Sequence, residues 1–511
     1  MLPNCLGQYV SRLLPVTSGV VSASSNAGRP LLRRKQRFGH HHPSMWVAAR
    51  TVSTDQMIKD LGNIVSDRGV SINPNDLQQH GKDEGPHRTA EPQIVTFPQN
   101  TEHVSAILKY CNKHKVPVIP FGAGSGLEGG TSAPTGGVTL DMRAFDKILR
   151  TSPEDFDCTV EAAVTWRALN LFLRDQGLWF PVDPGADASL GGMCSTSASG
   201  TNAVRYGTMR ENVINLEVVL ADGRIIHTAG LRGRARKSSA GYNLTNLFVG
   251  SEGTLGVITT ATLRLHAVPE TQVSAVVQFE SPRGAIDAVV EILQNAVPIA
   301  RVEFMDEYTV EACNAYSKTS LQNKPTLLLE FNGSEAGVKE QVSVVEVICT
   351  DNGGTEFKWA ESIEERAHLW KARHAAFYAT LALRPNMKCY VTDVCVPISH
   401  LPDLLEATKK DIEQNGVLGT VVGHVGDGNF HTMLLFDPAD PASFAKVHAI
   451  GERMALKAIE LDGTCTGEHG IGLGKKQLLV KEHGEDCVSA MKAIKMALDP
   501  NNILNPTKIF D

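Results

Sequence analysis

The chain has 511 residues, 42% of them hydrophobic and 21% charged, enough apolar matter for two or more packed domains and too much chain for a single small binding module. Its formal net charge of -7 conceals a split: residues 1–54 hold seven basic side chains (Arg12, Arg29, Arg33, Arg34, Lys35, Arg37, Arg50) and no acidic one, leaving 42 basic against 56 acidic residues in the remainder. So acidic a body argues against a nucleic-acid partner, and no run approaches the roughly 18 apolar residues of a transmembrane helix.

In chain order, residues 1–54 are rich in Ser, Ala and Gly and lack the continuous apolar centre of a secretory signal. That composition predicts a mitochondrial transit peptide, and with it a place in the matrix or at the inner membrane. Residues 55–88 read as an N-terminal helical segment. From 89 to 268 short β-rich runs alternate with glycine. Val104, Ile107, Leu108 and Cys111 mark one face of a helix after Asn100, Val116–Ile119 reads as a buried strand, and Asp222-Gly223 predicts a hairpin between Val213–Leu220 and Arg224–Thr228. Val257–His266 is a further strand. Residues 269–460 read as a second α+β domain, with strands near 273–279, 326–331 and 390–396 and helices near 282–295, 335–349, 361–381 and 399–414. Residues 461–511 return to glycine-rich loops and helices and are expected to fold back onto the first domain. The ten cysteines include no CxxC, so a zinc ribbon, an iron–sulfur signature and a dithiol motif are all unsupported, and free buried thiols are expected.

Three glycine-rich segments carry chemistry. Gly122-Ala123-Gly124-Ser125-Gly126-Leu127 follows a predicted strand, and residues 124–129 satisfy GxGxxG, but Gly129, Gly130, Pro134, Gly136 and Gly137 forbid the helix that a Rossmann turn requires. What remains is a loop whose backbone N–H groups can surround a phosphate. Pro184–Asn202 packs small and hydroxyl residues that can press donors against an extended ligand. Gly250–Ile258 ends in a strand.

Three such segments in this order, with Tyr206-Gly207 between the last two, resemble the FAD-binding domain of the vanillyl-alcohol oxidase and p-cresol methylhydroxylase (PCMH) flavoproteins. The resemblance implies an α+β fold: a two-subdomain PCMH-type FAD-binding domain (89–268), an α+β cap or substrate domain with an antiparallel sheet (269–460), and a C-terminal segment (461–511) packing on the FAD domain. It implies FAD contacts at Gly122, Ala123, Gly124, Ser125, Gly126 and Leu127, at Pro184, Gly185, Ser189, Gly192, Thr196, Ser199, Gly200 and Asn202, and at Gly253, Val257 and Ile258. The first loop has no histidine for covalent attachment, so non-covalent FAD is expected, with Cys194 the residue that could overturn this.

Farther on, His424-Val425-Gly426-Asp427-Gly428-Asn429-Phe430-His431 sets two imidazoles at the ends of a turn between predicted strands, and Glu468-His469 lies downstream. Two histidines and a carboxylate suit zinc, manganese or iron with positions left open, although histidines also end strands as structural residues, and the spacing alone leaves both readings standing. Asp427 reads as a turn residue. The pair of motifs resembles the D-2-hydroxyacid dehydrogenase branch of the same flavoproteins. That implies His424, His431 and Glu468 as ligands of a divalent metal, zinc or manganese, His469 as catalytic base, Asn429 as a substrate contact, and Arg373, in Trp370-Lys371-Ala372-Arg373, as the grip on the substrate carboxylate. The implied reaction is oxidation of D-lactate or a related D-2-hydroxyacid to the 2-oxoacid, with cytochrome c, an electron-transfer flavoprotein or a quinone as electron acceptor. The alternative substrate, D-2-hydroxyglutarate, needs a second cation, for which Arg384 and Lys388 are candidates. The alkyl-glycerone-phosphate synthases share the FAD domain but use the flavin without net redox chemistry, and the metal motif argues against them.

Overall fold

The computed structural model describes residues 52–510 except Glu356 and Glu361, so the expected transit peptide lies, but for its last three residues, outside the described part. Helices begin where the sequence supplies a cap. Ser53 caps α1 (Thr54–Val65) and Asn100 caps α2 (Thr101–His114), whose buried face is the expected stripe of Val104, Ile107, Leu108 and Cys111. These helices pack in one apolar cluster with a small sheet of β1 (Val70–Ser71), β2 (Ile94–Thr96), β3 (Val118–Phe121) and β4 (Val138–Asp141), ordered β1-β2-β4-β3, in which β4 runs parallel to both neighbours.

A second, antiparallel sheet comprises β5 (Ile148–Ser152), β6 (Asp157–Glu161), β8 (Val213–Val219), β9 (Ile225–His227) and β10 (Val257–Arg264), ordered β5-β6-β10-β8-β9. Between them in the chain come α3 (Trp166–Leu173), β7 (Leu178–Trp179) and α4 (Leu190–Thr196), and β7 pairs with β11 (His266–Ala267). The Asp222-Gly223 turn joins β8 to β9 as expected.

The third sheet has eight strands: β12 (Thr271–Gln278), β13 (Arg301–Met305), β14 (Thr326–Gly333), β15 (Lys358–Ala360), β16 (Lys388–Val391), β17 (Val394–Cys395), β18 (Gly419–Gly423) and β19 (Asn429–Phe436). Its order is β15-β12-β14-β13-β18-β19-β16, and β17 also pairs with β19. Both faces are covered, which explains why its strands read as continuous apolar runs: Leu327, Leu329 and Phe331 enter one core and Leu328 the other. Burying a side chain such as Phe331 contributes roughly 2–3 kcal/mol.

Two expectations in this half need correction. The helix expected over 361–381 is two, α5 (Ile363–His374) and α6 (Ala376–Ala382), separated at Ala375. The strand expected over 390–396 is interrupted at Thr392-Asp393, where the Asp393 carboxylate accepts hydrogen bonds from another segment. The sequence reading also passed over β13 and the helix Glu307–Ser317 that follows it. The tail does return to the first sheet: Leu504 bridges to Val118, Asn505 Nδ2 donates to the carbonyls of Gly130 and Glu252, and Lys508 Nζ donates to Ser132 O.

Candidate active site

One cavity brings the three glycine segments together with residues of the third sheet. The first loop leaves the end of β3, the second runs into α4, and the third leads into β10. Gly122 must be glycine for the first two to meet, since a Cβ there would collide with Ser189 Oγ. Glu252, in the third segment, accepts the backbone N–H groups of Ile471 (2.7 Å) and Gly472 (2.8 Å), fixing the C-terminal region against the same cavity. Burial pushes its carboxyl up to about 7 against the lowering effect of those two amides.

Across the cavity the β18–β19 hairpin places His424 and His431 as the sequence suggested, with Val422 paired to His431. Gly428 has φ 77°, and a Cβ there would strike the Val396 carbonyl, so the turn between the histidines depends on it. Both Nε2 atoms face one carboxylate oxygen: Glu468 Oε1 lies 3.3 Å from His424 and 3.2 Å from His431. Both Nδ1 atoms face away, His424 toward Glu303 Oε1 at 2.7 Å and His431 toward Thr392 O at 3.3 Å and Asp393 Oδ1 at 3.6 Å. Burial opposes charge on His424, but Glu303 and Glu468 outweigh it and hold its pKa well above the usual histidine value. Burial likewise opposes charge on Glu468, and the two histidines hold it well below the usual carboxylate range. His469 stacks on His431 at 4.9 Å between ring centroids, and its pKa is lowered, chiefly by burial.

Two family models match, one described as "FAD linked oxidases, C-terminal domain" over residues 268–509 and one as "FAD binding domain" over 92–229. A zebrafish (Danio rerio) protein named probable D-lactate dehydrogenase, mitochondrial, is 55% identical over 91% of this chain and 93% of its own length. The chain belongs to the FAD-linked oxidase family. An Arabidopsis thaliana member named D-lactate dehydrogenase (cytochrome), mitochondrial, is 44% identical over 89% of this chain and 80% of its own. The fold is shared with p-cresol methylhydroxylase in a substrate-bound crystal structure, at a TM-score of 0.75 and 18% identity over 89% of this chain and 97% of the other.

As an FAD-linked oxidase the chain is an FAD-dependent oxidoreductase, and its cavity fits the cofactor on its own terms. Gly122 to Leu127, Pro184, Gly185, Ser189, Gly192, Thr196, Gly253, Val257 and Ile258 all line it, and Gly130 faces open space with nothing within 4 Å of a Cβ position. Ser199, Gly200 and Asn202 do not line it. They stand behind the wall: Ser199 N donates to Glu468 Oε2, a Cβ on Gly200 would press on Asp183, and Asn202 N donates to Asp183 Oδ1. Cys194 is fully buried in the second-sheet core and outside the lining, its thiol pushed up by burial. The cluster of His424, His431 and Glu468, with their ligand atoms within 4.8 Å of one another, fits a divalent cation.

The FAD-linked oxidase cavity also places the remaining candidates. Arg373 is buried (7% exposed) on α5, lines the cavity and has an Nε without a hydrogen-bond partner. Its Nη2 lies 2.6 Å from Glu303 Oε2, a close ion pair without hydrogen-bond alignment. Asn429, expected at the substrate, is instead outside the lining: its Nδ2 donates to Asp393 Oδ1 and Val394 O. Asn429 and His431 share one face of β19, but at the start of the strand that face meets Asp393 and Val394 instead of the cavity. Arg384 and Lys388 are exposed and outside the lining, in which Arg373 is the one arginine or lysine among the described residues.

Three acids escaped the sequence reading. Glu303 sits on β13, between His424 and Arg373. Asp393 accepts the N–H groups of Glu468 (2.8 Å) and His469 (2.9 Å) and the Thr466 hydroxyl (2.8 Å), so one carboxylate shapes the loop bearing both functional residues. Asp183 receives Thr201 Oγ1 at 2.6 Å and faces His374 and Arg301. No local signal marks Glu303, because the residues it pairs with, Arg373 and His424, lie far along the chain.

Proposed function

We propose that the protein oxidises D-lactate and D-2-hydroxyacids of similar size to the 2-oxoacid, in mitochondria, and passes the electrons to a cytochrome. The observation that carries this is one cavity in which the glycine loops, the His424/His431/Glu468 cluster and a fixed cation, Arg373, converge. The names of the zebrafish and Arabidopsis relatives point the same way. A substrate with one carboxylate is favoured because a second would find no further arginine or lysine among the described residues of the lining.

FAD, held without a covalent bond by the three glycine segments, would supply the hydride acceptor, and a divalent metal on His424, His431 and Glu468 would act as Lewis acid toward the substrate oxygens. Arg373 takes the substrate carboxylate through its fork, its unpartnered Nε turning from a buried liability into a bond. His469, kept neutral by burial, takes the hydroxyl proton on a ring nitrogen as the Cα–H bond breaks. Asp393 holds the His469 backbone, which fixes where that ring can stand. Glu303 and the Thr392–Asp393 segment orient the two imidazoles so that each presents Nε2 to the metal position.

The test is an anaerobic visible spectrum of the purified protein with D-lactate, L-lactate and D-2-hydroxyglutarate in separate cuvettes, with and without a chelator. Bleaching of the flavin band by D-lactate, lost on chelation, is expected. Bleaching by D-2-hydroxyglutarate alone would replace the substrate, bleaching indifferent to chelation would remove the metal, and a protein that takes up no FAD would end the reading.

A further inference from the structure

We propose that the end of the second sheet remote from the cavity is a docking surface for an anionic phospholipid bilayer. Residues 229–243, between β9 and the helix Leu244–Phe248, contain Arg232, Arg234, Arg236 and Lys237 and no carboxylate, in a chain whose net charge is -7. Arg234 is committed to structure: it pairs with Asp155 at 2.7 Å and Asp157 at 2.8 Å, which pins the loop to the start of β6. Arg264, at the end of β10, contributes a bond to the Arg236 carbonyl. Arg232, Arg236 and Lys237 are exposed, and among the described residues no ion pair joins their side chains to an acid. The loop thus presents three free cations on an anchored backbone.

Its apolar residues face solvent as well. Leu231 is 75% exposed and Tyr242 95% exposed, one toward each end of the loop. At the same end of the sheet Val268 bonds to the carbonyl of Gly177, just beyond α3, and α3 exposes Leu171 and Phe172. Cations beside exposed apolar and aromatic side chains match a phospholipid interface, where phosphates meet the former and the upper acyl region the latter. A second copy of the chain would oppose like charges across a two-fold axis. An acidic protein would account for the cations and leave Leu231 and Tyr242 unexplained.

The placement also separates docking from catalysis. Val257 lies in the cavity wall and Arg264 at the loop, seven residues of strand apart, or about 23 Å. A bilayer on this face would hold the enzyme at the surface with its cavity unobstructed.

Flotation of the full chain with vesicles of phosphatidylcholine, alone or with about 30 mol % phosphatidylglycerol, tests this. Binding is expected on the anionic vesicles alone and is released near about 0.5 M salt. The Arg232→Glu/Arg236→Glu/Lys237→Glu variant should keep its flavin band and its substrate-driven bleaching while losing about 10-fold or more of vesicle partitioning. Leu231→Ser/Tyr242→Ser should weaken partitioning without altering the charge. Equal flotation of the charge-reversed variant would overturn the proposal and hand binding to the basic residues 1–54 or another face. Equal binding to pure phosphatidylcholine, or a changed oligomeric state as the sole effect of the variants, would overturn it too.

Discussion

At the scale of single residues, the site divides into groups that meet substrate and groups that hold them. His469→Ala removes the proton acceptor and should lower kcat by about 10²- to 10⁴-fold with the flavin spectrum unchanged, because the bond from its backbone to Asp393, which shapes the loop, survives the substitution. A near-normal turnover number would move the base elsewhere. Arg373→Lys keeps a positive charge and loses the planar fork. Raising KM for D-lactate with a roughly 10- to 100-fold fall in kcat/KM is the expected outcome in steady-state kinetics, and an unchanged KM would release Arg373 from the carboxylate. Asn429→Ala offers a contrast. Since its amide supports Asp393 and stays outside the cavity, the damage should appear in kcat, through the loop bearing His469, more than in KM.

At the scale of elements, β13 shows what a sequence conceals. Val302 and Phe304 alternate with Arg301 and Glu303, and a period-two pattern assigns the charged face to solvent. That face is buried: Glu303 is 1% exposed, in contact with His424 and Arg373, while Arg301 approaches Asp183 and Glu330. The charges pair with residues up to 121 positions away in the chain, which no local window contains. By contrast the β18–β19 hairpin and the glycine loops were legible, because each is set by a turn whose residues are contiguous. Asn429 was misplaced for a related reason: strand alternation decides that His431 faces the cavity, but a residue's distance from a ligand depends on neighbours the motif does not name. Since Glu303 orients His424, Glu303→Gln should lower divalent-metal affinity by about 10- to 100-fold, read by competition with a chromophoric chelator on the apo protein. Affinity equal to wild type would leave Glu303 a partner of Arg373 alone.

At the scale of the whole molecule, the cavity is walled by separate sheets, so it is only as firm as the joints between them. Asp183 is one such joint: its carboxylate accepts Thr201 Oγ1 and Asn202 N on the glycine-loop side and faces Arg301 of β13 and His374 of α5 on the other. Burial would raise its pKa, but the adjacent His374 and the charge of Arg301 outweigh it and hold the group at about 2, below the ordinary 3.8. An acid whose pKa is depressed by folding binds fewer protons in the native state. Its contribution is therefore complete above the unfolded value near 4 and is lost as pH falls toward 2. The shift corresponds to about 2 kcal/mol at neutral pH and roughly 1 kcal/mol at pH 3. Asp183→Asn should accordingly unfold more easily than wild type in urea at pH 6, by about that larger amount, with the gap narrowing by half at pH 3. A gap independent of pH would mean that the asparagine disturbs packing and that the charge carries no stability. Because Asp183 also lines the cavity, loosening this joint should speed FAD release in the same variant, which ties the retention of the cofactor to an ion pair between the glycine-loop side and the third sheet.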